Sequence, residues 1–176
     1  STNDTAGGMA NYEWDELSQA KWLLRRLLID LAVGIELTSY FHTVDLANYV
    51  SVNGPSTRTN TKGVLRAGDY TPKTAYYALR HLCALFDSET TAADFSFRVD
   101  SPGQDVEPAA VRTATFVRRN VPVCAYWYPA SLQRGWQTRT VRLSLWTGKA
   151  AELRRPVLAD LLTGQELRQC CRVAIR

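Results

Sequence analysis

Apolar residues recur at helical spacing near the start of the chain. Leu17, Ala20, Leu24, Leu27, Leu28 and Leu31 fall along one helix face. Ser18, Lys21 and Arg25 fall largely on the other side, while Trp22, Leu23 and Ile29 widen the apolar face toward a second neighbour. The pattern predicts a helix over residues 14–33, stopped by Gly34. Residues 35–44 are rich in β-branched and aromatic side chains and predict a strand directly after it. A polar stretch over residues 45–70, with Asn53-Gly54-Pro55 at its middle, predicts a long loop. Thr71-Pro72 predicts a helix start, with Thr71 as N-cap and Pro72 in the first turn. Ala75, Leu79, Leu82, Cys83 and Phe86 form the expected buried stripe of that helix, which ends near Asp87.

Beyond Thr90 the period changes from helical to strand-like. Six short segments with strand character are expected, at residues 95–99, 111–117, 121–128, 138–146, 157–162 and 167–175. Turn residues separate them, among them Arg118-Arg119-Asn120 and Thr163-Gly164. Val141 to Leu145 alternates apolar and polar, as a half-buried strand should. Regular short strands of this kind predict a sandwich, with a boundary near residues 88–94. The first part thus reads as a piece of an alternating α/β fold. One central strand and two helices cannot close a parallel sheet, and a lone strand would leave two edges unpaired.

Charge and composition narrow the chemistry. Twenty-one Lys and Arg against seventeen Asp and Glu leave a net +4, scattered as pairs such as Arg25-Arg26 and Arg154-Arg155. Solvated element edges explain that pattern better than a nucleic-acid surface, so no nucleic-acid partner is expected. No apolar run is long enough for a membrane span, and no apolar leader segment opens the chain. The four cysteines, Cys83, Cys124, Cys170 and Cys171, form no C-x-x-C pair, and only two histidines are present. No metal site and no cofactor are expected from that set. Asn3-Asp4-Thr5 is a formal glycosylation sequon.

Four segments, in order, resemble the end of a (β/α)8-barrel glycoside hydrolase of clan A. Gln19-Ala20-Lys21-Trp22-Leu23-Leu24-Arg25 resembles the start of the seventh barrel helix. Ser39-Tyr40-Phe41-His42-Thr43-Val44-Asp45 resembles the aromatic-rich end of the eighth strand. Gly63-Val64-Leu65-Arg66 with Tyr70-Thr71-Pro72-Lys73-Thr74-Ala75-Tyr76-Tyr77-Ala78-Leu79 is similar to G-L-L-x…T-P-K-P-A-Y-Y-A-L, the most specific of the four. Val157 to Gly164 resembles a P-V-x-x-D-x-x-T-G hairpin of the accessory sandwich. The resemblance implies α/β plus all-β architecture: residues 1–90 as the last units of a (β/α)8 TIM barrel, and residues 91–176 as a C-terminal antiparallel β-sandwich. It departs from the pattern at Tyr40, where the sugar-platform residue is usually Trp, and at Phe41-His42, where Tyr-Asp often stands.

Retaining glycosidases use two carboxylates about 5 Å apart. The resemblance places both upstream of Ser1, so the chain alone is expected to be inactive. Barrel sites lie at the C-terminal ends of the strands. Tyr40, His42 and Asp45 are therefore the candidate substrate-binding residues. Tyr40 would stack on a pyranose ring or serve as a core aromatic. His42 would hydrogen-bond a sugar hydroxyl or the nucleophile, or sit as a satisfied rim residue. Asp45 would bind a hydroxyl or cap the following loop. Phe41, pointing the other way from Tyr40, is expected in the core. Glu36 lies at the strand's far end, and Glu13, Asp15 and Glu16 suit a helix N-terminus. The implied function is the C-terminal portion of a glycoside hydrolase acting on a poly- or oligosaccharide. The implied partners are a carbohydrate and the remaining barrel, in an extracytoplasmic or secreted setting. The alternative is a non-catalytic carbohydrate-binding or interaction module using Tyr126, Trp127, Tyr128, Trp136 or Trp146, although core packing explains those aromatics more simply.

Overall fold

The computed structural model describes residues 15–50, 57–100, 111–129, 142–146 and 156–167. The sequon, Trp14, Trp136 and the Cys170-Cys171 pair lie outside the described residues.

Helix α1 (Glu16–Ala32) begins at Asp15, whose carboxylate accepts a 2.7 Å hydrogen bond from the Ser18 amide. Glu16 in the first turn complements the helix dipole. The helix stops at Val33 and Gly34; Gly34 sits at φ 76°, a left-handed conformation that glycine adopts without strain. Ala20, Leu23, Leu24 and Leu28 are buried, as the periodicity predicts. Ser18, expected on the solvent side, is buried as well.

Residues 35–44 differ from expectation: they form no strand. A single parallel bridge joins Val44 to Leu65. No backbone–backbone hydrogen bond connects residues 36–42 to another described residue. A sheet ladder requires a neighbour on at least one edge, and the strand-like composition of this segment finds none among the described residues. The expected loop over residues 45–70 is also corrected. Its first part is an antiparallel hairpin of β1 (Leu46–Val50) and β2 (Thr57–Asn60), with a register shift between Leu46 and Tyr49.

Helix α2 (Thr74–Leu85) starts three residues later than Thr71, and Lys73, not Thr71, is its N-cap. Thr71 is used otherwise: its amide and hydroxyl both donate to Asp69 Oδ1, at 3.0 and 2.9 Å. Pro72 bridges to Leu65 before the helix begins. Ala75, Ala78 and Leu82 make the buried stripe, while Cys83 is exposed rather than buried.

The strand-rich part opens with β3 (Thr90–Ala92), which pairs with β5 (Arg112–Arg118); β5 pairs in turn with β6 (Val121–Trp127), all antiparallel. The β5–β6 turn places Arg119 and Asn120 at φ 50° and 64°, the left-handed pair that a two-residue hairpin turn of matching twist requires. β4 (Ser96–Asp100) pairs with β7 (Arg142–Trp146) in a second antiparallel sheet, and the rings of Phe97 and Tyr126 meet between the two sheets at 6.3 Å. β8 (Leu158–Ala159) and β9 (Glu166–Leu167) form a short hairpin where a longer strand over residues 157–162 is expected. Asp160 folds the intervening turn, its carboxylate accepting from the Leu162 amide and the Thr163 hydroxyl.

The described chain is thus a mixed fold of two helices and several small antiparallel sheets. One hydrophobic core runs through both parts. Leu23, Leu24 and Leu28 of α1 and Ala75, Ala78 and Leu82 of α2 cluster with Ala114, Phe116 and Ala125 of the three-stranded sheet. Phe86 meets Phe116 edge-to-face at 5.0 Å, and Arg118 pairs with Asp87 at 2.6 Å. Residues on either side of the expected boundary near 88–94 therefore share one core.

Candidate functional site

The polar groups that matter gather where the 36–45 segment meets the loop following β2. Gln19, buried on the first turns of α1, donates through Nε2 to Lys62 O and Gly63 O at 2.9 Å and to the Tyr40 hydroxyl at 3.0 Å. Tyr40 donates onward to Lys62 O at 2.8 Å. Thr43 O accepts from the Val64 and Leu65 amides, and the Asp45 amide donates to Leu65 O. These bonds lay residues 43–45 alongside residues 64–65. Gly63 is fixed there by close approach: a Cβ at that position would lie 2.2 Å from the Asp45 amide nitrogen.

Beneath this contact lies an ion pair. Lys73 is 1% exposed, and its Nζ donates to Asp45 Oδ1 at 2.7 Å and to Thr61 O at 2.9 Å. Asp45 Oδ1 also accepts from the Gly63 amide at 2.9 Å. The two charges neutralise one another in a region with little water, where either alone would be costly. Burial pushes the Tyr40 phenol above its ordinary value; the Gln19 hydrogen bond opposes this and the Asp45 charge adds to it.

Each sequence candidate can now be placed. Asp45 is an anchor: its Oδ1 carries the Lys73 and Gly63 bonds inside the protein. Tyr40 turns toward α1, its ring centroid 6.4 Å from that of Trp22 and its hydroxyl engaged on both sides. Phe41, expected in the core, is 64% exposed. Alternation along the segment does place Tyr40 and Phe41 on opposite sides, but it is Phe41 that faces outward. His42 lies edge-on against Phe41, centroids 4.4 Å apart, with Nδ1 hydrogen-bonded to Val44 O. Its Nε2 is buried without a hydrogen-bond partner. Glu36 is exposed and apart from the cluster, and Asp15 is occupied as the α1 cap.

The sequence alone did not single out Gln19 or Lys73. Their signal was present, since Gln19 opens the Q-A-x-W-L stretch and Lys73 stands in T-P-K, but spacing does not reveal that they converge. A groove of about 290 Å³ runs beside the cluster, lined by Trp22, Leu27, Ile35, Leu37 and Tyr40 among others. A second, more open cleft of about 370 Å³ lies between α1, α2 and the β8–β9 hairpin, lined by Glu16, Arg66, Tyr77 and His81. Among the described residues no cluster of His, Cys, Asp or Glu could hold a metal ion, and no helix is long and apolar enough to cross a membrane. Two carboxylates free to act as a nucleophile and an acid are likewise not brought together at this cluster: Asp45 is its one carboxylate, and it is paired. The chain matches no protein-family profile, no curated protein and no solved structure.

Proposed function

We propose that this chain is the C-terminal portion of a retaining glycoside hydrolase, comprising the last units of a (β/α)8 barrel and an accessory β-sandwich. In that enzyme it supplies one wall of the sugar site, and the reactive carboxylates come from the rest of the barrel. One observation carries the reading. Among the described residues no backbone–backbone hydrogen bond reaches residues 36–42, and within that segment Leu37 is 85% and Phe41 64% exposed. Large apolar side chains left open along a segment with no ladder partner among the described residues fit a stave whose neighbours belong to another part of the barrel. Ile29 on α1 and Val33 at its C-cap are exposed too, as a helix facing a missing neighbour would be.

At the end of that segment, Phe41 offers an exposed ring for stacking on a sugar face, and the His42 imidazole supports it edge-on. Tyr40 and Asp45 hold these two in place through Gln19 and Lys73. The role of platform, first expected at Tyr40, falls on Phe41 in this arrangement.

The test is a nuclear magnetic resonance titration of the full chain with soluble linear glucans, xylans and mannans, alongside hydrolysis assays on the same sugars. Shifts centred on Phe41 and His42, lost in Phe41→Ala and weakened in Tyr40→Phe, are expected, with no hydrolysis. Shifts confined to Trp127 and Tyr128, and abolished by Trp127→Ala, would replace the proposal with a binding face on the strands. Hydrolysis by this chain alone would overturn the assignment of the reactive carboxylates to other residues.

A further inference from the structure

The buried ion pair sits where its neighbours are least satisfied. Among the described residues, three buried side-chain atoms lack hydrogen-bond partners: Gln19 Oε1, His42 Nε2 and Thr61 Oγ1. All three residues belong to one patch. Gln19 binds the Lys62 and Gly63 carbonyls, Thr61 binds Lys73 through its own carbonyl, and His42 binds Val44, the bridge partner of Leu65. Unsatisfied buried polar atoms are rare in folded proteins, and their concentration marks a place shaped for something other than stability.

The ion pair points the same way. A buried pair is an inefficient source of stability, because packed apolar residues of similar volume often do as well or better. What it does supply is fixed geometry. One ammonium, 1% exposed, joins three separate pieces of backbone: the start of α2, the Thr61 carbonyl, and Asp45 at the end of the 36–45 segment. Asp45 adds a second tie to the Thr61 loop through the Gly63 amide.

We infer that Lys73 is a positioning residue of this site: through Asp45 and Thr61 it sets the placement of Phe41 and His42 for a hydroxyl-bearing ligand. Lys73 does not touch the ligand. It clamps residues 43–45 against residues 61–65, and the aromatic pair is carried at the end of that clamp. The ligand class rests on the sugar reading proposed above; the positioning does not.

The double variant Lys73→Met/Asp45→Leu tests it, because removing both charges avoids stranding a buried ion. The variant is expected to fold with a near-wild-type circular dichroism spectrum. Its His42 imidazole and Phe41 ring resonances are expected to move or broaden. The glucan, xylan or mannan that shifts Phe41 in the wild-type chain should bind about tenfold more weakly or worse, the scale of a misplaced site. A folded double variant with His42 and Phe41 resonances at wild-type positions overturns the inference. If the double variant does not fold, Lys73→Arg provides the second readout: it keeps the charge but changes the donor geometry, so unchanged His42 and Phe41 resonances there overturn it equally. A wild-type chain that binds none of these sugars removes the sugar reading alone, since the resonance comparison is made without ligand.

Discussion

Replacing Phe116 with alanine asks whether the helices and the strands stand or fall together. The Phe116 ring is 1% exposed on β5 and meets Phe86, just beyond α2, at 5.0 Å and 81°. Its removal deletes a buried aromatic side chain at a cost of about 3–5 kcal/mol. The edge-to-face contact with Phe86, on the order of 1 kcal/mol, is contained in that loss rather than added to it. For a chain of this size such a loss lowers the melting midpoint by roughly 6–20 °C. Far-ultraviolet circular dichroism follows α1 and α2, and near-ultraviolet dichroism follows the packed aromatics. Because Phe116 shares one cluster with Leu23, Ala78 and Leu82, both signals should fall together and by the same amount. A helical signal that keeps its wild-type midpoint while the aromatic signal collapses would refute the shared core. It would favour a division near residue 90 into two independently folding units.

Two further outcomes follow from charged and sulfur groups. The Arg118 guanidinium, hydrogen-bonded to Asp87, holds that carboxyl at about 2, against the opposing effect of desolvation and with help from the Glu89 amide. The folded value lies below the unfolded one of about 3.9, so this stabilisation is complete above ~pH 4 and is lost as pH falls toward 2. Asp87→Asn should therefore flatten the acid limb of stability measured by urea denaturation across that window, and an unchanged limb would refute the pairing. Burial pushes the Cys124 thiol up to about 11, whereas Cys83 is exposed on α2. Since the thiolate is the reacting form, iodoacetamide should modify Cys83 first and Cys124 only on unfolding. Peptide mass spectrometry that finds equal rates would contradict the packing around β6.

How far the amino-acid pattern reaches can be judged residue by residue. The two helices and the β5–β6 hairpin were legible because their signals are local: a 3.6-residue apolar period, short runs of strand character, and Asn120 at a turn that needs positive φ. The β1–β2 hairpin was not legible, since Leu46–Val50 and Thr57–Asn60 carry no clean alternation, and its register is broken by a shift. Thr71-Pro72 misplaced the start of α2 because the same residues serve equally well in a turn, and Asp69 claims the Thr71 side chain. At the site, alternation correctly separates Tyr40 from Phe41 but carries no sign: which of them faces inward is decided by Gln19, twenty-one positions away. Lys73 illustrates the same limit more sharply. A lysine before a helix reads as solvated surface, and only the approach of Asp45, twenty-eight positions away, makes it one of the most buried side chains described. Local pattern thus fixes elements, while the long-range polar pairs decide which face of each element becomes the site.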